Sequence, residues 1–171
     1  ATTRYGLTVF DYDQMVSFDH WMPQGVELHE SLLLSLEDVS YALAIATNIG
    51  LAVAPLQADG NLGPLATWDW SLSDEIFALS LLNFDGQNQH IIGLGQSGEG
   101  AVFGVTSSSQ IAQNYELATG LYTALSQSEA TVTGIAHGPA GGGNNTLYVG
   151  TDRGLLFGET STARDAFEAT W

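Results

Sequence analysis

Apolar residues along this chain come in short runs broken by glycine-bearing turns, and one arrangement recurs. Thr-x-x-Gly followed by an apolar run stands at Thr3–Gly6, Thr47–Gly50 and Thr151–Gly154, with a looser copy at Gly95–Gly100. Before the glycine lie Tyr41–Ala46, His90–Leu94 and Leu147–Gly150; after it lie Leu7–Phe10, Leu51–Val53, Ala101–Phe103 and Leu155–Phe157. Each pair predicts a β-hairpin, with Asn48, Asp152 and the glycines expected to supply the positive φ angles of a tight turn. Runs at Leu32–Leu36, Ile76–Leu81 and Val132–Ala136 add a strand before the hairpins. An aromatic 15 to 18 residues beyond each glycine (Trp21, Trp68, Tyr115, Trp171) is expected to open an outer strand and pack between neighbouring units. The small residues Ala42, Ala44, Ala46, Gly93 and Gly150 are expected on inner strands crowded around a central channel.

The recurring glycines, at 6, 50, 100 and 154, are 44, 50 and 54 residues apart, which is the length of a four-stranded propeller blade with variable loops. The expected fold is therefore all-β: a partial β-propeller of four-stranded antiparallel blades, about three blade periods long. The phase of the repeat divides the chain into a half blade at 1–29, blades at 30–73 and 74–124, and an incomplete blade at 125–171. Since a closed propeller needs at least four blades, another chain, or a second piece of a cleaved precursor, is expected to complete the ring.

Composition narrows the partners. Nineteen acidic residues against three basic ones, with no lysine, give a net charge of -16, which repels nucleic acid and anionic membrane surfaces. Only 13% of residues are charged, so the surface is polar through Ser, Thr, Asn, Gln and Gly. The absence of cysteine excludes disulfides and thiolate-ligated zinc. No apolar stretch reaches the roughly 20 residues that a membrane-spanning helix needs.

The segment Asn145 to Phe157, followed by Ala169-Thr170-Trp171, resembles a blade of the Asp-box (sialidase-type, BNR) propeller superfamily. In that group a strand ending in Gly-Thr, a turn and a Gly-Leu-aromatic strand lead to a Thr-Trp pair, and Ala66-Thr67-Trp68 repeats the ending. The Asp-box loop itself is not intact; Ala58-Asp59-Gly60 and the segment from Ser161 to Trp171 are degenerate versions of it. The resemblance implies a propeller without choosing an activity, since the superfamily holds hydrolases, sorting receptors and assembly factors.

Sialidase chemistry needs an arginine cluster to grip a carboxylate. Arg4, Arg153 and Arg164 are the only arginines, and Arg4 and Arg153 read as turn residues. A glycosidase needs two carboxyl groups facing each other across a cleft; among many loop acids, Asp69 and Asp74, flanking an outer strand with Glu75, are the candidates. Asp11 and Asp13 alternate beside a strand end and offer oxygen ligands to calcium, although no complete calcium loop surrounds them. The four histidines match no zinc spacing, and no cofactor is implied. Trp70 and Tyr122 are candidate stacking platforms for sugars, whereas Trp21, Trp68 and Trp171 read as packing residues. Asn144 opens a formal glycosylation sequon, Asn144-Asn145-Thr146.

Two functions follow. One is a non-enzymatic, exported or surface-associated interaction module that binds protein or glycan through its loop faces. The alternative is a fragment of an Asp-box-propeller glycoside hydrolase acting on polysaccharide, its catalytic residues split between this chain and the remainder of the ring.

Overall fold

The computed structural model describes residues 2–3, 5–11, 15–36, 40–82, 89–116, 120–139, 145–160 and 169–170. They form four antiparallel sheets in chain order. The first sheet has three strands, β1 (Thr2–Thr3), β2 (Gly6–Asp11) and β3 (Val16–Trp21). The second is β4 (Leu28–Ser35), β5 (Tyr41–Thr47), β6 (Gly50–Leu56) and β7 (Asp69–Leu72); the third is β8 (Ala78–Leu82), β9 (Gln89–Leu94), β10 (Gly100–Val105) and β11 (Ile111–Glu116). The fourth is β12 (Val132–Pro139), β13 (Asn145–Thr151), β14 (Gly154–Thr160) and β15 (Ala169–Thr170). Within each sheet the strands lie in sequence order, and the first strands β4, β8 and β12 lie against one another in turn. The chain is a partial β-propeller.

The alternation of side chains explains how these sheets stack. On β5 and β6, Ala42, Ala44, Ala46, Leu51 and Val53 pack with Phe103, Ile91 and Val105 of the third sheet. The intervening Ile45, Ala52 and Ala54 pack with Leu7, Met22 and Val26 from the first sheet and its connection. Alternate residues thus serve opposite neighbours, and strands buried on both faces read as near-continuous apolar runs. The third sheet repeats this, turning Ile92, Leu94 and Val102 toward Leu147 and Val149 of the fourth. The outward faces of the two end sheets carry apolar residues in the open: Phe10 is 52% exposed on one, and Leu155 and Phe157 are 62% and 65% exposed on the other.

The Thr-x-x-Gly signature is a two-residue hairpin. Thr47 pairs with Gly50 and Thr151 with Gly154. Each threonine hydroxyl donates to the glycine carbonyl, at 2.7 and 2.9 Å, and accepts the N–H of Ile49 or Arg153. Gly50 and Gly154 take φ of 120° and 147°, as turn glycines should. Asn48 and Asp152 do not share that role, because neither has positive φ. Instead each clamps the residue just before the first strand of its own sheet. Asn48 Oδ1 accepts the Glu27 N–H at 2.9 Å while its own N–H donates to Glu27 O. Asp152 does the same to Thr131, with Oδ1 accepting at 2.9 Å.

Three further expectations need correction. The small residues lie on second strands, and at Gly93 the space is filled by side chains of its own sheet and of the connection leading into it. A Cβ on Gly93 would stand 3.0 Å from Ile76 Cγ2 and 3.2 Å from the Phe103 ring. The aromatics do not share one structural position: Trp21 ends β3, Trp68 precedes β7 and Tyr115 is next to last in β11. The third-to-fourth-strand connections differ in length, so equal sequence spacing does not carry over. Finally, an α-helix, α1 (Gly120–Ser128), stands between the third and fourth sheets, where Leu121 and Leu125 fill the shared core.

Candidate functional site

The connection from β6 to β7 folds back on itself and builds one wall of a groove. Gly60 turns the chain at φ 82°, Asp59 Oδ1 accepts the Asn61 N–H, and Gln57 N–H donates to Asn61 O at 2.7 Å. Leu62 then bridges back to Leu56, Gly63 N–H donates to Pro55 O, and the Trp68 indole N–H donates to Gly63 O at 2.8 Å. Gly63 is required there, since a Cβ would lie 2.7 Å from Thr67 Oγ1 and 3.1 Å from Pro55 Cγ. Leu62 and Trp68, both buried, anchor the wall in the core between the first two sheets.

The end of β3, from Asp19 to Trp21, forms the opposite wall, and the groove between them has a volume of about 400 Å³. Sites for small ligands fall between about 300 and 1,000 Å³. Trp21 stands 75% exposed at its edge. Two buried polar atoms of lining residues, His20 Nε2 and Asn61 Oδ1, lack a hydrogen-bond partner among the described residues. No arginine or lysine lines the groove, and its acid, Asp19, accepts the Thr8 hydroxyl at 2.7 Å.

A second concentration of polar chemistry lies in the seam between the second and third sheets. Glu30 Oε2 accepts the Leu79 N–H and Asp69 Oδ2 accepts the Ile111 N–H, each at 2.7 Å. His29 Nε2 lies 2.8 Å from Glu75 Oε1, an ion-pair distance without the alignment of a hydrogen bond. Carboxylates therefore stitch the seam near both its inner and outer margins.

The residues singled out from sequence are dispersed. Asp69 uses its second oxygen on the Trp70 N–H at 3.1 Å, so both carboxylate oxygens meet backbone donors. Asp74 is exposed in the connection after β7. These two stand at opposite ends of β7, whose four residues span about 10 Å at the rise of a strand, and they make no facing pair. Trp70 is half-buried and stacks against Trp68 with centroids 6.2 Å apart and 21° between planes. Tyr122 lies on helix α1 rather than on a strand. Asp11 ends β2 opposite Val16, while Asp13 and Asn144 lie outside the described residues, as do Arg4, Arg164 and Trp171. Among the described residues no cluster of three or more His, Asp or Glu is placed to hold a metal. Trp21, expected to pack between units, pairs with Gly6 on the face of the first sheet that also carries Phe10, and it is exposed in this arc. His20 and Asn61 carried no signal, because the groove joins residues some forty positions apart in two sheets.

His137, on the first strand of the fourth sheet, has its pKa lowered by burial, and its Nε2 has no partner among the described residues. No described helix is long and apolar enough to cross a membrane.

No protein-family model and no curated protein matches the chain. Solved structures do. An exo-β-1,3-galactanase from Clostridium thermocellum is similar over 93% of this chain and 37% of its own, at 16% identity and a TM-score of 0.56. The exo-β-1,3-galactanase of Phanerochaete chrysosporium is similar over 90% of this chain and 37% of its own, at 14% identity and a TM-score of 0.56. A protein of unknown function from Bacteroides caccae is similar over 96% of this chain and 53% of its own, at 11% identity and a TM-score of 0.50. What is shared is the fold. The chain spans little more than a third of the length of the two galactanases.

Proposed function

We propose that this chain is an arc of an extracellular β-propeller glycoside hydrolase acting on polysaccharide, with the rest of the ring supplied by blades outside these 171 residues. The observation that carries the reading is the likeness, over 93% of the chain, to a propeller that works as an exo-β-1,3-galactanase. A lysine-free polar surface of net charge -16 supports a neutral glycan over an anionic one. The same likeness ranks this reading above a non-enzymatic interaction module. The finer Asp-box kinship rests on the Thr-x-x-Gly hairpins and the Ala-Thr-Trp endings.

Glycoside hydrolysis uses two carboxyl groups about 5 to 9.5 Å apart. Asp69 and Asp74 are this arc's candidates, and each takes its partner from another part of the ring. The apolar faces marked by Phe10 and by Leu155 and Phe157 are where further blades pack, as the second and third sheets do within the arc.

The test is sugar release by the intact protein from a panel of polysaccharides, β-1,3-galactan first, measured as reducing ends. Turnover is expected, with Asp74→Asn slowing it by at least about 100-fold, the scale of lost acid–base catalysis, while the melting temperature of that variant holds. Absence of release from every polysaccharide, alongside specific glycan or protein binding, would return the protein to the interaction-module reading.

A further inference from the structure

We infer that the groove between β3 and the β6–β7 connection is a binding subsite for a neutral pyranose sugar, set at the outer rim of the arc. The inference takes its ligand class partly from the proposed function, but the groove argues for it on its own chemistry. An exposed indole at the groove's edge, Trp21, offers a flat apolar surface for a sugar ring's C–H face. Exposed Gln57 and Asp19 in the same lining supply donors and acceptors for hydroxyl groups.

Electrostatics selects against other small ligands. With a carboxylate in the walls, no arginine or lysine there and a net charge of -16, an anion is repelled. A metal ion finds only one acid and one histidine in the lining. A neutral polyol meets neither obstacle.

Beneath the groove surface, His20 Nε2 and Asn61 Oδ1 are buried without partners among the described residues. Native proteins seldom leave such atoms unmet. A sugar hydroxyl can donate to one and accept from or donate to the other once the side chain turns toward the groove. The prediction specific to this site is therefore an opposition between stability and binding. Asn61→Leu removes an unmet acceptor at nearly constant volume, so it leaves the free protein as stable or more stable, yet it weakens sugar binding. A residue with only a structural role would lower both.

The probes are β-1,3-galactotriose, laminaritriose and xylotriose, titrated into the intact protein and followed by NMR shifts of the Trp21 indole and Asn61 side-chain amide signals. At least one trisaccharide is expected to move both signals. Asn61→Leu should weaken its Kd about fivefold, the worth of one hydrogen bond, with an unchanged or raised Tm. Trp21→Ala should weaken it further. Leu65→Arg, which blocks the groove at an exposed lining position, should abolish it. Binding that leaves the Trp21 and Asn61 signals still, binding unaffected by all three variants, or no binding of any trisaccharide would each overturn the inference. Polysaccharide turnover measured on the same samples separates the two proposals. Turnover without groove binding removes the subsite alone, and groove binding without turnover removes the hydrolase alone.

Discussion

Replacing Gly50 and Gly154 by alanine, one at a time, tests the sheet architecture at equivalent positions of two hairpins. Both glycines follow a threonine by three residues and both hold positive φ, 120° and 147°, a region where a side chain costs about 1–3 kcal/mol. Stiffening the unfolded chain returns about 0.4–1 kcal/mol, so Gly154→Ala, with nothing among the described residues within 4 Å of the added methyl, should lose about 1–2 kcal/mol. Gly50 carries the same conformational penalty and a collision. Its Cβ would meet Ser71 O at 2.2 Å and Ser73 N at 2.8 Å, because β7 runs directly opposite, pairing Leu72 with Gly50. Those atoms are backbone, so relief requires β7 to move away, breaking its terminal pairing and the Ser73 N–H to Ile49 O bond. Two such bonds are worth about 1–3 kcal/mol together, placing Gly50→Ala at about 2–5 kcal/mol. Urea unfolding followed by tryptophan fluorescence reads both. A Gly50→Ala loss below about 2 kcal/mol, no more than the conformational penalty alone, would refute the argument that the outer strand crowds this turn.

Asp69→Ala should cost about 1.5–3 kcal/mol by removing a charged acceptor from the Ile111 N–H, and Asp69→Asn, which keeps an oxygen, should recover part of it in the same urea assay. For His137, burial lowers the folded-state pKa below 6.5, so the unfolded chain binds more protons between the two values. Its stabilising contribution is complete above pH 6.5 and is lost as pH falls through the folded pKa. Chemical denaturation from pH 8 to pH 5 should show that decline shrinking in His137→Gln; an identical pH slope in the variant would contradict it.

The sheets were legible because their signals are local. The Thr-x-x-Gly hairpin closes its own hydrogen bonds within four residues, as at Thr47 to Gly50, and strands buried on both faces leave uninterrupted apolar runs such as Tyr41–Ala46. Helix α1 was missed, although Leu121 and Leu125 sit four apart on one helical face, because the repeat ran a strand-built blade to residue 124 and so covered its first half. The seam carboxylates were visible as acids but not as stitches. Asp69 meets Ile111 across 42 residues and Glu30 meets Leu79 across 49, and nothing in the chain marks such pairs. The groove fails to announce itself for the same reason: its unmet atoms, His20 Nε2 and Asn61 Oδ1, become neighbours of one cavity only when the first two sheets stack.

The central claim, that this arc works as part of a ring, meets its most direct test in hydroxyl-radical footprinting of the intact protein. Phe10 and Phe157 are more than half exposed on the end faces, whereas Phe103 is fully buried between the second and third sheets. If further blades cover those faces, Phe10 and Phe157 should be oxidised as slowly as Phe103. Oxidation of both at the rate of exposed Met15 and Tyr5, after scaling for side-chain reactivity, would contradict the ring.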